Sequence, residues 1–164
     1  GFFHNDAVSY ADNLFGKSYC YYLEESKADI VCAFTVSNAS IFTKYLPNAR
    51  KKKVGKHVPH IKQDLIYPAV LIGRLGISTK FQHLHIGTEV IDFIKSWFVE
   101  PYNKTGCRYL VVDAYNEDVP VAFYKKNGFD FMFSTEEQEK SYRGIVSDKP
   151  LKTRLMYFDL ILIK

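Results

Sequence analysis

The turn at residues 82–87 carries the clearest chemistry in this chain, because an apolar, β-branched run gives way there to an amphipathic helical pattern. The run at residues 69–77 predicts a buried strand, and the pattern at residues 86–99 predicts a helix. The first N–H groups of a helix have no partner within it, and the helix dipole adds partial positive charge there. We therefore expect a phosphate-bearing ligand at this turn.

The composition is that of an ordered globular protein. The chain has 164 residues, of which 47% are hydrophobic and 24% are charged, and this size fits one domain spanning residues 1–164. Aromatic residues make up 16%, so we expect a core rich in Phe and Tyr. The net charge of +4 fits an anionic cofactor or RNA equally well. Because the chain opens on Gly within a helical pattern, we expect that an N-terminal strand or helix is missing from it.

Three cysteines, Cys20, Cys32 and Cys107, have no metal-binding spacing, so the sequence predicts no metal site. We interpret them as free thiols, which favours a cytoplasmic location. No apolar run approaches the roughly 18 residues of a membrane helix. No signal-peptide pattern opens the chain. The sequence therefore predicts a cytoplasmic protein with no membrane segment.

The remaining patterns predict the elements that position the turn. Residues 2–15 carry a helical apolar stripe, and the β-rich runs at residues 18–24 and 29–36 form a hairpin. Residues 39–67 are basic and irregular, and residues 136–143 are typical of a surface loop. The order of the elements predicts an α/β fold, in which helices pack on a mixed sheet. Further strands are predicted at residues 108–114, 129–133 and 153–163, and a short helix at residues 120–127.

Two segments, LIGRLGISTKFQHLHIG and VVDAYNEDVPVAFYKKNGF, contain motifs of a known family. The first resembles the acyl-CoA motif of the GNAT superfamily of N-acetyltransferases, and the second contains a match to its FY-x-x-x-GF signature. The resemblance spans residues 69–133. It implies a central, mostly antiparallel sheet with one splayed parallel strand pair, flanked by helices.

The resemblance implies that acetyl-CoA is the cofactor and that its acetyl group passes to a primary amine by direct attack in a ternary complex. Tyr124 matches the family's general acid, which protonates the departing thiolate, although it could also be a tyrosine of the core. The residues that match the family's cofactor contacts lie on the central strand, in the turn and after the next strand: Leu75, Gly76, Ile77, Gln82, His83, Leu84, His85, Ile86, Gly87, Thr88, Asn116 and Tyr124.

The turn departs from the family pattern at His83 and His85, which stand where glycines are usual. Glycine permits positive φ and close approach to a diphosphate. A histidine at position 85 therefore needs either an ordinary helical φ or a strained turn. Two outcomes follow for an active enzyme: weaker cofactor affinity, or a direct contact from His85 to phosphate. A non-catalytic module that binds CoA or a partner is the third interpretation.

The upstream segments FFHNDAVSYADN, FTVSNASI and YPAVLIGRLGI resemble the GNAT toxins of toxin–antitoxin modules and their non-toxic relatives. Toxins of that branch acetylate the α-amino group of aminoacyl-tRNA. The resemblance leaves three acceptor classes, which are a small molecule, a protein and aminoacyl-tRNA, and adds a homodimer and an antitoxin partner as expectations. The basic residues 50–53, with Lys56 and His57, could contact tRNA phosphates or form a solvated loop.

A general base is missing from the central strand, which has no Asp or Glu between residues 69 and 80. A lysine amine, with a pKa of about 10.4, needs such a base, whereas an α-amino group, with a pKa of about 7.7, is substantially neutral without one. This favours an acceptor with a low amine pKa, although Asp64, Asp113 or Glu117 could act through water. We expect Arg74 either at the cleft or paired with a carboxylate such as Asp113.

Overall fold

A six-stranded sheet forms the centre of the computed structural model, which describes residues 1–60 and 66–164. The strands are β1 (Lys17–Leu23), β2 (Ser26–Phe42), β3 (Ile66–Ile77), β4 (Tyr109–Tyr115), β5 (Asp130–Phe131) and β6 (Thr153–Asp159). Their order in the sheet is β1-β2-β3-β4-β6-β5, and β3–β4 is the parallel pair among otherwise antiparallel neighbours. The predicted α/β class, with a mostly antiparallel mixed sheet, is confirmed.

Six α-helices accompany the sheet in the described part of the chain. They are α1 (Phe2–Asn5), α2 (Ala7–Asp12), α3 (Asn48–Val54), α4 (Ile86–Val99), α5 (Asp118–Lys126) and α6 (Glu136–Arg143). None of the helices described is long and apolar enough to cross a membrane. The same residues contain no group of three or more His, Cys, Asp or Glu side chains that could hold a metal ion.

The two faces of the sheet have separate cores, because successive strand residues point to opposite faces. On the first, which we call the α4 face, Ile91 and Ile94 of α4 pack with strand residues such as Val112. On the other, which we call the opposite face, α3 and α6 pack through Val54 and Tyr142. Strands β3 and β4 therefore each present alternate side chains to two different environments.

The core is rich in aromatic residues, as the composition predicts. Phe34, Tyr109 and Phe133 are almost completely buried. The ring of Tyr109 stacks on that of Tyr67 at 5.7 Å between centroids, and its hydroxyl donates a hydrogen bond to the carbonyl of Val54 at 2.8 Å. Aromatic pairs of this kind contribute about 0.5–1.5 kcal/mol each beyond area burial. They hold α3 and the sheet together on the opposite face.

Two N-terminal elements differ from the sequence prediction. The helix predicted at residues 2–15 is broken at Asp6 into α1 and α2. The second strand of the hairpin runs to Phe42 rather than to residue 36, because β3 pairs with it from Ile77 back to Ile66. A pairing partner so distant in sequence supplies the backbone hydrogen bonds that local patterns do not reveal.

Two segments that were predicted as irregular are helical. Residues 48–54 form α3, whose buried Arg50 donates a hydrogen bond to the carbonyl of Met132 at 2.9 Å. The predicted surface loop at residues 136–143 is wrong, because this segment is α6 and buries Glu139 completely. The hydroxyl of Thr135 caps α6 by accepting a hydrogen bond from the Gln138 N–H at 3.3 Å.

Candidate active site

The parallel strands β3 and β4 separate partway along their length. Their ladder covers residues 69–72 of β3 and ends at the pair Ile72 and Val112. Beyond it, β3 continues to Ile77 along β2, and β4 continues to Tyr115 along β6. The two strands thus leave an opening between them, which we call the fork. It is the splayed parallel pair that the sequence comparison with the GNAT superfamily implies.

A β-bulge at Gly73 marks the start of the fork. Thr35 of β2 pairs with Arg74, whereas the next residue, Val36, pairs with Ile72, so β3 contains one extra residue there. A bulge bends its strand and increases the local twist. A Cβ atom at Gly73 would lie 3.0 Å from Thr35 Oγ1, which leaves little room for a larger residue. We attribute the separation of β3 from β4 to this bend.

The predicted contacts Leu75, Gly76 and Ile77 lie on β3 beyond the bulge. The side chains of Leu75 and Ile77 pack against the α4-face core. On the side that faces β4, this stretch has no strand partner in the described part of the chain. Its backbone groups on that side are therefore open to an extended ligand.

The turn at residues 82–87 has free backbone donors. Residues 82–85 are exposed, and no protein acceptor among the described residues is bonded to the N–H group of any residue from 82 to 87. The last two of these N–H groups belong to the first turn of α4. This arrangement fits a diphosphate, because several N–H dipoles and the helix dipole lie at one exposed site.

Both histidines of the turn adopt the left-handed conformation, with φ of 65° at His83 and 59° at His85. Of the two geometries that the sequence left open, this is the strained one. The left-handed conformation costs a residue with a side chain about 1–2 kcal/mol, although His adopts it more often than most residues. The turn therefore has the backbone shape that glycine provides in the family motif, without glycine at these positions.

His85→Gly is expected to leave the free energy of unfolding unchanged or to raise it by up to about 1 kcal/mol. Relief of the left-handed strain is partly offset by the greater entropy that glycine gives the unfolded chain. Urea denaturation measures the effect, and His4→Gly, within helix α1, is the control that should lose about 1 kcal/mol. A loss as large as that of the control would contradict the strained geometry. Weaker CoA binding in His85→Gly would indicate a phosphate contact by His85.

Gly87 brings three predicted site elements into contact. A Cβ atom there would lie 3.0 and 3.1 Å from two ring atoms of Phe123 and 4.0 Å from a side-chain atom of Ile77. The start of α4, the end of β3 and helix α5 thus meet at this residue. A side chain at position 87 would push α5 away from the fork.

Tyr124 follows Phe123 on α5 and is mostly buried against the α4-face core. Its ring contacts those of Phe123 and Phe129 at 5.1 and 5.5 Å between centroids. Burial raises the pKa of Tyr124 to about 12, so the phenol is protonated at neutral pH. The hydroxyl has no hydrogen-bond partner in the described part of the protein and remains accessible to solvent. It is available to a ligand as a donor.

Asn116 already has two partners within the protein. Its side-chain nitrogen donates to Glu136 Oε1 at 2.8 Å and to the carbonyl of Leu151 at 2.9 Å. Both amide hydrogens are used in this way, so only its side-chain oxygen is left for the predicted cofactor contact. The arrangement ties the end of β4 to the start of α6. The pKa of the Glu136 carboxyl is lowered, first by the hydrogen bond that it accepts from the Leu151 N–H and then by the one from Asn116.

The pairing of Arg74 with Asp113 is not found. Asp113 pairs instead with Arg143 of α6, whose Nη2 lies 2.7 Å from Asp113 Oδ1. Arg74 is exposed, and its guanidinium lies 5.4 Å from the centroid of the Phe2 ring. Arg143 also pairs with Glu139, four residues before it, and this spacing was a sequence signal for helix α6 but not for the contact with Asp113. Asp64, another predicted base, lies outside the described residues.

An open concavity of about 880 Å³ lies apart from this constellation, between the end of β2 and α6. It contains none of the predicted site residues. Residues 82–85 of the turn are exposed, and the importance of the fork and the turn rests on backbone donors and on Tyr124 rather than on an enclosed volume. The concavity is lined by Phe42, Tyr45, Pro47, Glu137, Gln138, Ser141 and Tyr142.

The fold is that of the GNAT acetyltransferases. Similar solved structures include AtaT complexed with acetyl-methionyl-tRNAfMet, with a TM-score of 0.64, 18% identity, and coverage of 99% of this chain and 81% of that chain. A tyrosine-to-phenylalanine mutant of KacT has a TM-score of 0.63, 18% identity and the same coverage. AtaT bound to the C-terminus of the antitoxin AtaR and acetyl-CoA, again as such a mutant, has a TM-score of 0.61 at 17% identity, covering 99% and 79%. No protein-family model and no curated protein matches the chain.

Proposed function

We propose that this protein is an acetyl-CoA-dependent N-acetyltransferase that transfers an acetyl group to a primary amine by direct attack in a ternary complex. The observation that carries the proposal is the fork, which opens at Gly73 and ends beside the backbone N–H groups of residues 82–87, none of which has an acceptor among the described residues. Solved structures of the same fold contain acetyl-CoA. This combination of an open strand edge and an anion site suits a long, phosphate-bearing thioester.

Each predicted residue then has a role in binding. The N–H groups of Gln82, His83, Leu84, His85, Ile86 and Gly87 bind the diphosphate, with Thr88 in the same turn of helix. The backbone of Leu75, Gly76 and Ile77 pairs with the pantetheine arm, as an added strand does. The side-chain oxygen of Asn116 is available for a further contact at the end of β4.

Two groups act on the reacting atoms. A backbone N–H of β3 at the fork stabilises the negative charge that develops on the thioester oxygen. Tyr124 donates its proton to the sulfur as the bond from carbon to sulfur breaks. The pKa of about 12 keeps the phenol in the proton-donating form throughout the physiological range. The acceptor amine must be neutral to attack, which favours amines of low pKa.

Acetyl-CoA is expected to stabilise the protein against heat. At about 100 times Kd, a ligand that binds only the folded state adds about 2.7 kcal/mol of stability. In a protein of this size, that corresponds to a rise in Tm of about 5–10 °C. Differential scanning fluorimetry with acetyl-CoA measures it, and adenosine, which lacks the diphosphate, is the control ligand. An unchanged Tm at millimolar acetyl-CoA would remove the basis of the proposal.

Two observations support aminoacyl-tRNA as the acceptor of the acetyl group. One similar structure holds acetyl-methionyl-tRNAfMet, and the basic helix α3 lies on the opposite face of the sheet from α4. Its Lys52 is exposed, as is Lys56 just beyond the helix, whereas Lys53 is paired with Asp130. Exposed lysines within a helix and just after it suit the phosphates of an acceptor stem. The hypothesis of an aminoacyl-tRNA acceptor also proposes two protein partners, which are an antitoxin and a second copy of the chain.

The double variant Lys52→Gln and Lys56→Gln is expected to weaken binding of aminoacyl-tRNA and to lower the salt dependence of that binding. Loss of two phosphate contacts reduces the slope of log K against log[salt] by about 2. A filter-binding series at several salt concentrations measures it, with Lys17→Gln and Lys27→Gln, on strand β1 and β2, as the control. An unchanged slope would place the tRNA elsewhere. Growth arrest on expression, absent in Tyr124→Phe, would support the toxin reading.

A further inference from the structure

Both strands that border the fork, β3 and β4, carry a charged side chain on the opposite face of the sheet, which is the face away from α4. On β4, Asp113 is the first residue beyond the last ladder pair. Val112 belongs to the α4-face core, so Asp113 points to the opposite face. On β3, Arg74 pairs with Thr35, which alternates with two residues of the α4-face core. Arg74 therefore also points to the opposite face.

Asp113 is held in place by a buried network on α6. Arg143 Nη2 donates to Asp113 Oδ1 at 2.7 Å and to Glu139 Oε1 at 2.6 Å. Glu139 is fully buried and also accepts a hydrogen bond from Arg154 Nε at 2.7 Å. The side chain of Asp113 remains 42% exposed, and its Oδ2 has only a 3.5 Å contact with Arg143. One carboxylate oxygen is thus fixed, and the other is open to a ligand.

Arg74 is open to an anion. Its Nη1 donates to the neighbouring Gly73 carbonyl at 3.0 Å, and the guanidinium stacks on the ring of Phe2. No carboxylate among the described residues pairs with it. A guanidinium that stacks on an aromatic ring has a fixed orientation. Its remaining N–H groups then form a rigid planar set of donors that suits phosphate or carboxylate oxygens.

We propose that the acceptor binds across the fork on the opposite face, with its amine at Asp113 and an anionic group of the same molecule at Arg74. This assignment rests on the proposed acetyl transfer. Tyr124 packs in the α4-face core, so an amine that enters from the opposite face reaches the thioester from the side away from the phenol. The acceptor class is an amine that carries a nearby phosphate or carboxylate.

The amine nitrogen forms its bond to the acetyl carbon, the bond from carbon to sulfur breaks, and the sulfur takes the proton of Tyr124. The nitrogen becomes positively charged as it attacks, and Asp113 accepts a hydrogen bond from it and stabilises that charge. The surplus proton of the nitrogen passes on to water, and Tyr124 regains a proton from water.

The test compares kcat/KM for an aminoacyl-tRNA and for the methyl ester of the same amino acid, which carries the same amine without phosphates. Arg74→Gln is expected to lower kcat/KM for the tRNA about tenfold or more and to leave the ester unchanged. Asp113→Asn is expected to lower both about tenfold or more. The controls Lys104→Gln and Glu100→Gln, exposed at the other end of α4, should change neither.

Three outcomes would overturn the assignment: Arg74→Gln affecting both acceptors equally, Arg74→Gln affecting neither, or Asp113→Asn with full turnover. The rise in Tm with acetyl-CoA separates this failure from that of the proposed function. Loss of the rise in the unaltered protein removes the acetyltransferase itself, whereas a retained rise with normal kcat/KM in both variants removes only the acceptor site. If Asp113→Asn does not fold, the exposed Arg74→Gln alone decides.

Discussion

Tyr124→Phe is expected to lower kcat for acetyl transfer by about 10²- to 10⁴-fold, the usual contribution of a general acid, while Kd for acetyl-CoA changes little. Phenylalanine keeps the ring that packs against Phe123 and Phe129 and removes only the accessible hydroxyl. Release of free CoA thiol, followed with a thiol-reactive dye, gives kcat. Isothermal titration gives Kd.

The pH profile supplies an independent readout of the same residue. Because burial raises the pKa of Tyr124 to about 12, the phenol stays protonated below that pH. The rate should therefore rise as the acceptor amine loses its proton and should show no descending limb from Tyr124 below about pH 11. Tyr102→Phe, which removes the hydroxyl of a tyrosine that is 94% exposed, is the matched control. Wild-type kcat in Tyr124→Phe would exclude the phenol as the acid.

Glu139→Gln is expected to lower the free energy of unfolding by about 3–5 kcal/mol, because it leaves buried guanidinium groups without their carboxylate. Glu139 is fully buried and accepts hydrogen bonds from Arg143, from Arg154 and from the Leu155 N–H at 2.6–2.7 Å. The neutral amide keeps the shape of the side chain but supplies neither the charge nor both acceptor oxygens. Urea denaturation and Tm measure the loss, which corresponds to about 6–20 °C in Tm.

Glu137→Gln is the matched control, because it makes the same chemical change on the same helix at an exposed position. It should cost less than about 0.5 kcal/mol, as surface substitutions usually do. If Glu139→Gln is as stable as this control, the buried network does not hold α6 on the sheet. Glu139→Gln also removes one of the two carboxylates that position the Arg143 side chain. We therefore expect kcat/KM to fall even at temperatures where the variant remains folded.

The turn and the strand before it could be predicted from the sequence because their signals are local. The apolar run at residues 69–77, the helical periodicity after Ile86 and the FY-x-x-x-GF motif each lie within about twenty residues. Backbone geometry of a strand and a helix start follows largely from such local patterns. The roles of Tyr124 and of the cofactor contacts remain predictions, which Tyr124→Phe and His85→Gly test.

The opposite face of the sheet could not be predicted in the same way. Helix α6 has a strongly charged sequence, and its burial of Glu139 depends on Arg154, which lies fifteen residues further along the chain. The pairing of Asp113 with Arg143 likewise joins residues thirty positions apart. When only the neighbours in sequence are known, charged residues predict a solvated surface. That prediction fails where a partner from a distant part of the chain allows the charge to be buried.

The sequence by itself determined the order of strands and helices around the turn, and with it the type of sheet; the anion site at the turn stays a prediction. Tertiary structure decided the fork, because the bulge at Gly73 exists only once β2 pairs with β3. It also decided the left-handed backbone of His83 and His85, which local preference alone disfavours. Local periodicity fixes which residues face a core, whereas register, bulges and charge pairs arise only when distant segments meet.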